Sequence, residues 1–201
     1  MHSYNIKYIK RLKRKIKLIS IQFYQRIRIY KYKLMSDANS VGSLALYNQP
    51  VLMTGQGKIV LSKCTLGIWP SPFYLSGYIH IEARSKYSQV IIGDGVSINN
   101  NAVIIADRTT IKIGDNALIG TEFCVYDSDF HVLDPAKRLG QDYRTASVEI
   151  GFNVFIGSRV TILKVVKIGD NSVIASGSVV VCNIPSDVVA GGVPAKVIRS
   201  L

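Results

Sequence analysis

The stretch V-E-I-G-F-N-V-F-I-G-S-R-V-T-I-L-K, Val148 to Lys164, places an aliphatic residue at every sixth position: Ile150, Ile156 and Ile162. A step of six matches neither the 3.6-residue period of a helix nor the two-residue period of a long strand. It matches a short strand with one aliphatic side chain pointing inward, followed by a tight turn whose Gly, Asn or Asp tolerates positive φ. Three such units close one triangular coil of about 18 residues, and stacked coils bury the aliphatic column.

The same frame runs outward in both directions. Upstream it reads Ile92-Gly93-Asp94-Gly95, Ile98 and Ile104, then Ile113-Gly114-Asp115-Asn116, Ile119-Gly120 and Val125. Downstream it continues through Ile168-Gly169-Asp170-Asn171, Ile174 and Val180. The expected fold is an all-β solenoid, a parallel β-helix of hexapeptide repeats. Gly57–Leu61 and Ile79–Arg84 are β-rich but out of step, with a loop at Trp69-Pro70-Ser71-Pro72 between them, and are expected to form irregular opening coils. Phe73, Tyr74 and Tyr78 are expected to pack against them.

The formal charge of +12 is concentrated at one end. Met1 to Leu34 holds eleven Lys and Arg and no acid, whereas the rest holds 14 basic and 13 acidic residues. Between Tyr4 and Leu34, the apolar residues Ile6, Ile9, Leu12, Ile16, Ile19, Phe23, Ile27, Tyr30 and Leu34 recur at steps of three and four. They line one stripe of an amphipathic helix whose other faces are basic. Such a stripe suits an anionic membrane surface, the body of the protein or a partner subunit. With no helix-turn-helix, zinc finger or aromatic-basic platform elsewhere, no nucleic-acid partner is expected. The expected division is a basic helix over residues 1–36 and a β-helix domain over 37–201, with a loop at 126–147 carrying the site.

No apolar run reaches the ~18 residues that span a bilayer, and the N-terminus lacks the pattern of a cleaved signal. Cys64, Cys124 and Cys182 are odd in number and widely spaced, so neither a disulfide framework nor a metal knuckle is implied. The expected location is a reducing cytoplasm, with peripheral contact at the inner face of the membrane through residues 4–34.

The repeat breaks between Val125 and Val148, and a solenoid tolerates an insertion that loops out from a corner. Inside the break lies Y-D-S-D-F-H-V-L-D-P-A-K-R, Tyr126 to Arg138, with His131 between acids and a basic pair. His131 has no second metal ligand at zinc-type spacing, so no metal is expected. A histidine suits a general base near neutral pH, with Asp127 or Asp129 as the group that would orient it.

The hexads, this looped segment, the restart at Val148 and the ending I-P-S-D-V-V-A-G-G-V-P-A-K-V-I-R (Ile184 to Arg199) resemble the hexapeptide-repeat acyltransferases. Within them the chain is most similar to the sugar O-acetyltransferases of the galactoside, maltose and surface-polysaccharide type. The resemblance covers Gly57 to Leu201 and leaves out the basic helix. It implies a left-handed parallel β-helix, a homotrimer, and acetyl-CoA as acyl donor in a groove between subunits. By position, it implies His131 as general base on the acceptor hydroxyl, Asn99 as a contact to the acceptor sugar, and Phe155 at the site wall. It likewise implies the backbone N–H of Ser158 as an oxyanion donor, Ser176 against the pantetheine arm, and Lys196 and Arg199 near the coenzyme phosphates. Two positions depart from the family pattern: Cys182 stands in V-C-N-I-P where relatives carry a lysine, and Val165 stands where glycine is frequent.

The function so implied is acetyl-CoA-dependent O-acetylation of a sugar hydroxyl on a bacterial surface polysaccharide or its precursor, by direct transfer. Two alternatives stay open at this level: N-acetylation of an amino sugar or nucleotide sugar, and a non-catalytic β-helical scaffold recruited to a membrane.

Overall fold

A computed structural model describes the backbone of every residue except Met1, Asn39 and Ser43, and the side chains from Ile9 onward except those of residues 39 and 43. Met1 of the expected 1–36 segment and the Ile6 side chain of its stripe therefore lie outside the described residues.

From Ser40 the chain winds as a three-sided parallel solenoid. Face A stacks Ser40–Val41, Lys58–Leu61, Gln89–Ile92, Thr110–Ile113, Val148–Ile150 and Lys167–Ile168. Face B stacks Leu46–Tyr47, Thr65–Leu66, Ser97–Ile98, Leu118–Ile119, Phe155–Ile156 and Val173–Ile174, and is closed by the antiparallel pair Val188–Gly192 and Ala195–Ser200. Face C stacks Val51–Thr54, Ile79–Ala83, Val103–Ala106, Cys124–Tyr126, Thr161–Ile162 and Val179–Val180.

The six-residue step explains this shape. Each inward aliphatic sits directly over its equivalent in the next coil: Leu61, Ile92, Ile113, Ile150 and Ile168 on face A, and Leu66, Ile98, Ile119, Ile156 and Ile174 on face B. All are almost fully buried. At about 25 cal/mol per Å² of apolar surface, these columns supply most of the driving force, while parallel pairing satisfies the backbone.

The opening segments called out of step are in register in space. Ile59 pairs with Val90, and Ile81 with Ile104. The step was broken because residues 67–78 loop out between faces B and C and because the passage from Ile81 to Ile92, between faces C and A, is longer than six residues. That loop is pinned by Asn100, whose amide donates to the Ile68 and Pro72 carbonyls at 3.0 and 2.9 Å and accepts from Ile68 N–H at 3.0 Å. Tyr74 is buried against Trp69, ring centroids 5.0 Å apart. A further coil, residues 40–54, escaped the sequence reading because Val41 and Leu46 point outward and blur the pattern.

The N-terminal helix α1, His2–Met35, packs on this first coil. Its contact face combines half-buried Ile21, Ile29 and Tyr32, the last 4.9 Å from the Tyr78 ring centroid, with polar anchors: the Gln25 amide, 2% exposed, donates to Tyr74 O at 2.7 Å and Asn48 O at 3.2 Å. Arg28 donates to Gln25 Oε1 (2.8 Å), Tyr74 O (3.0 Å) and Gly77 O (2.6 Å). The apolar stripe does not pack on the body, since Ile16, Phe23 and Leu34 remain 55%, 66% and 68% exposed. No described helix is long and apolar enough to cross a membrane.

Between faces A and B, Asn116, Asn153 and Asn171 adopt φ of 59°, 53° and 60°, the left-handed region that asparagine tolerates. Val165, between faces C and A, takes φ 73° despite its branched Cβ. A branched residue there is strained. Val165→Gly is therefore expected to raise unfolding stability by about 1 kcal/mol, read as a higher urea midpoint at unchanged slope. Burial pushes the Cys64 thiol up to about 11, while Cys182 is exposed. Iodoacetamide at about pH 8 should label Cys182 in the native protein and reach Cys64 only after unfolding.

Candidate active site

The insertion after Tyr126 is anchored by a buried carboxylate. Asp127 accepts from the backbone N–H groups of Asp107 (2.7 Å), Arg108 (3.2 Å) and Thr109 (2.7 Å), and from the Thr109 hydroxyl (2.8 Å). Its neighbours start a short antiparallel base: Ser128 bridges Thr145, Asp129 N–H donates to Arg144 O at 3.0 Å, and Ala146 N–H returns to Asp127 O at 2.8 Å. The tip is shaped by Asp134, which caps the 3-10 turn Pro135–Lys137 by accepting from Ala136 N–H at 3.0 Å.

This base sets His131 on the rim of an open cleft of about 680 Å³ between the loop and face C. Its walls include Arg84, Ile105, Phe130, Leu139 and Tyr143. His131 Nδ1 lies 3.3 Å from the Arg138 carbonyl. A carbonyl only accepts, so Nδ1 carries the proton and the lone pair lies on Nε2. Neither expected aspartate is in hydrogen-bond contact with the imidazole through its carboxylate. The Asp127 carboxylate is used up on the turn beneath it, and that of Asp129 is taken by Lys164 Nζ at 2.7 Å. Asp129 reaches His131 only through its main chain, accepting the His131 N–H at 2.7 Å.

Three groups that sequence reasoning missed support the loop. The Arg84 guanidinium sits 5.1 Å from the Phe130 ring centroid and pairs with Glu82 (2.8 Å) and Asp107 (3.3 Å). Burial pushes the Glu82 carboxyl up, but the hydrogen bond and charge of Arg84, helped by His80, hold it below its usual value. Arg108 stacks over Tyr143 at 4.2 Å, and burial followed by hydrogen bonding to Asp107 raises the Tyr143 phenol. Lys164 ties the loop to the next coil. Apart from Arg84–Glu82, two positions apart on one strand, these pairs join residues more than 20 positions apart, so no local pattern announces them.

The other expected site residues lie elsewhere. Asn99, Ser158 and Ser176 occupy turns between faces B and C, the last two on neighbouring coils and Asn99 two coils before Ser158, whereas His131 lies between faces C and A. Ser158 N–H donates to Ser176 Oγ at 3.2 Å, and Asn99 Oδ1 accepts from Asn100 N–H at 2.8 Å. Phe155, 50% exposed, stands on face B between Leu118 and Val173. Lys196 and Arg199 are exposed on the closing strand at the edge of that face. At Gly157 a Cβ would press on Ser176, so the turn must be bare for the coils to stack. One chain thus carries the histidine at the corner between faces C and A, and the other expected residues on face B and at its corner with face C.

A solenoid of this kind, with a histidine loop and a bare-turned corner, is the architecture of a transferase class. Residues 147–182 match the family model "Bacterial transferase hexapeptide (six repeats)". The Saccharomyces cerevisiae protein YJL218W, named as an acetyltransferase, is 35% identical over 185 residues, 92% of this chain and 84% of that protein. The galactoside O-acetyltransferase of Escherichia coli K12 is 42% identical over 114 residues, 57% of this chain and 55% of that enzyme. A hexapeptide-repeat acetyltransferase of Vibrio cholerae solved with acetyl coenzyme A superposes with a TM-score of 0.57 at 25% identity, over 92% of this chain and 89% of that one. The protein belongs to the hexapeptide-repeat acetyltransferase family, and its solenoid is the left-handed parallel β-helix of that family.

Asp127→Ala leaves three N–H groups and a hydroxyl without their acceptor. It is expected to cost about 3 kcal/mol or more in urea unfolding, with the His131 loop becoming the first segment cut in limited proteolysis.

Proposed function

We propose that the protein is an acetyl-CoA-dependent O-acetyltransferase acting on a sugar hydroxyl of a bacterial surface polysaccharide or its precursor, with His131 as general base. The observation that carries this reading is the His131 placement: a pinned loop holds an imidazole at a cleft with Nδ1 3.3 Å from the Arg138 carbonyl, which leaves Nε2 as the basic nitrogen. An imidazole so held can take a hydroxyl proton near neutral pH, typically contributing ~10²–10⁴-fold. The acceptor oxygen then attacks the thioester carbonyl carbon, the carbon–sulfur bond breaks, and the proton passes from Nε2 to the departing thiolate. Ser158 N–H is the donor to the developing oxyanion, released from Ser176 Oγ by a rotation of that exposed hydroxyl. A thioester is already activated, so no acyl-enzyme is needed.

The reading takes the loop at 126–147 as the active-site loop of the domain 37–201, and the 1–36 segment as an appendage. Asn99 and Phe155 are its acceptor contacts, and Ser158, Ser176, Lys196 and Arg199 its coenzyme contacts. Asp129 acts as a positioning residue that holds the His131 main chain. Because these groups lie at two corners of one chain, the working unit is a homotrimer in which one copy supplies His131 and its neighbour the coenzyme strip. The bacterial glycan acceptor is supported by the likeness to the galactoside enzyme. The same reading locates the protein in the cytoplasm, with peripheral contact at the inner face of the membrane through residues 4–34.

The test pairs binding with turnover. Acetyl-CoA at ~100 times its dissociation constant should stabilise both the native protein and His131→Ala by ~2.7 kcal/mol. Turnover of hydroxyl acceptors should fall ~10²–10⁴-fold in the variant alone. Absence of a thermal shift at high acetyl-CoA, or preferential acetylation of amine acceptors, would overturn the reading.

A further inference from the structure

The exposed stripe of α1 is unpartnered, and its placement decides what covers it. At about 100° per residue, Ile16 and Gln25 stand about 180° apart around the helix. Gln25 and Arg28 face the body and are held by four backbone carbonyl contacts to Asn48, Tyr74 and Gly77. The stripe therefore points directly away from the solenoid. Residues 9–20 are exposed on every side, so about 18 Å of helix projects beyond the body.

Charge separates the candidate occupants. Lys13, Lys15, Lys31 and Lys33 border the stripe about 80° to either side of its centre and are exposed. No acid lies anywhere on α1, and no described salt bridge involves one of its cations. If the stripes of two or three copies packed together, these bordering lysines would meet lysines with no compensating acid. An anionic lipid surface removes that conflict: the stripe enters the acyl boundary while the bordering lysines reach up to headgroup phosphates. Nucleic acid would leave the isoleucines and Phe23 in water.

We propose that α1 is a rigid mount for an anionic bilayer, inserting the stripe from Ile9 to Leu34 and holding the solenoid above the lipid through the Gln25–Arg28 clamp. This deepens the membrane contact read above and does not depend on the chemistry of the cleft. Arg28, despite its charge, belongs to the clamp and not to the lipid-facing set. Because the clamp fixes the helix to the first coil, a docked molecule presents that end of the solenoid to the membrane at a set angle. An acceptor carried on a lipid would then approach the His131 cleft from one defined side.

The experiment is co-sedimentation of the full chain with phosphatidylcholine vesicles and with vesicles that also contain phosphatidylglycerol, at low and high salt. Binding is expected only with the anionic lipid, falling as salt rises. Ile16→Ser/Phe23→Ser, which touches nothing in the body, should lower partitioning at least about tenfold. Each of Lys13→Gln and Lys15→Gln should lower it about fivefold. Failure to bind anionic vesicles, or unchanged binding by the stripe variant, would overturn the mount. A stripe variant that lowers the oligomer size in solution and leaves vesicle binding unchanged would assign the stripe to a second copy. Retention on RNA in preference to the vesicles would assign α1 to nucleic acid. Turnover on a soluble acceptor should be unaffected by the stripe variant; absence of turnover in the native protein with vesicle binding intact would count against acetyl transfer alone.

Discussion

Everything in this molecule depends on aliphatic side chains stacking on their equivalents in adjacent coils. That stacking forces a parallel register, and parallel register satisfies each strand's backbone from the coils above and below. It also restricts what the rest of the chain can do. Where coils approach closely a turn must pass with little side chain, so glycine stands at Gly157, and where the backbone turns left-handed between faces A and B, asparagine stands at Asn116, Asn153 and Asn171. Asn153 and Asn171 add a further link, their amides donating along the stack to Asn171 Oδ1 at 3.0 Å and Asp187 Oδ1 at 2.8 Å.

Because the stack is regular, departures from it carry the individuality of the protein. The chain leaves the frame twice from Gly67 onward, and each excursion is secured by a polar side chain that satisfies several backbone groups. Asn100 holds the loop at 67–78, and Asp127 holds the loop that bears His131. Gln25 and Arg28 dock α1 by the same means. A buried polar group with its hydrogen bonds fully made specifies one geometry, whereas a greasy contact would tolerate sliding. This is how a histidine on a long insertion keeps its place at the cleft and how a helix with an exposed apolar stripe keeps a fixed orientation.

The solenoid was legible in the sequence from Ile92 to Val180 because its determinant is local: one aliphatic per six residues. Legibility ended where the outward and inward positions stopped alternating cleanly, at residues 40–54, and where a loop interrupted the count, at 67–78. In the site, His131 was visible as the lone histidine of an interruption. Its contact with Arg138 was not, because it is made by a carbonyl that every residue possesses. Lys164 and the contacts of Arg84 with Asp107 and Phe130 were invisible for a related reason, since those partners lie on other coils.

The sequence by itself determined the coil, its three-sided repeat, the place of the interruption and the amphipathic character of the first helix, all of which follow from residue spacing along the chain. Only the tertiary structure decided which groups meet. It put Asp129 on Lys164 and not on His131, used Arg28 as a clamp and turned the apolar stripe to solvent. It also set the histidine and the Ser158 corner on different edges of the prism. Those outcomes come from competition among distant hydrogen-bonding groups for the same partners, a competition that local spacing does not encode.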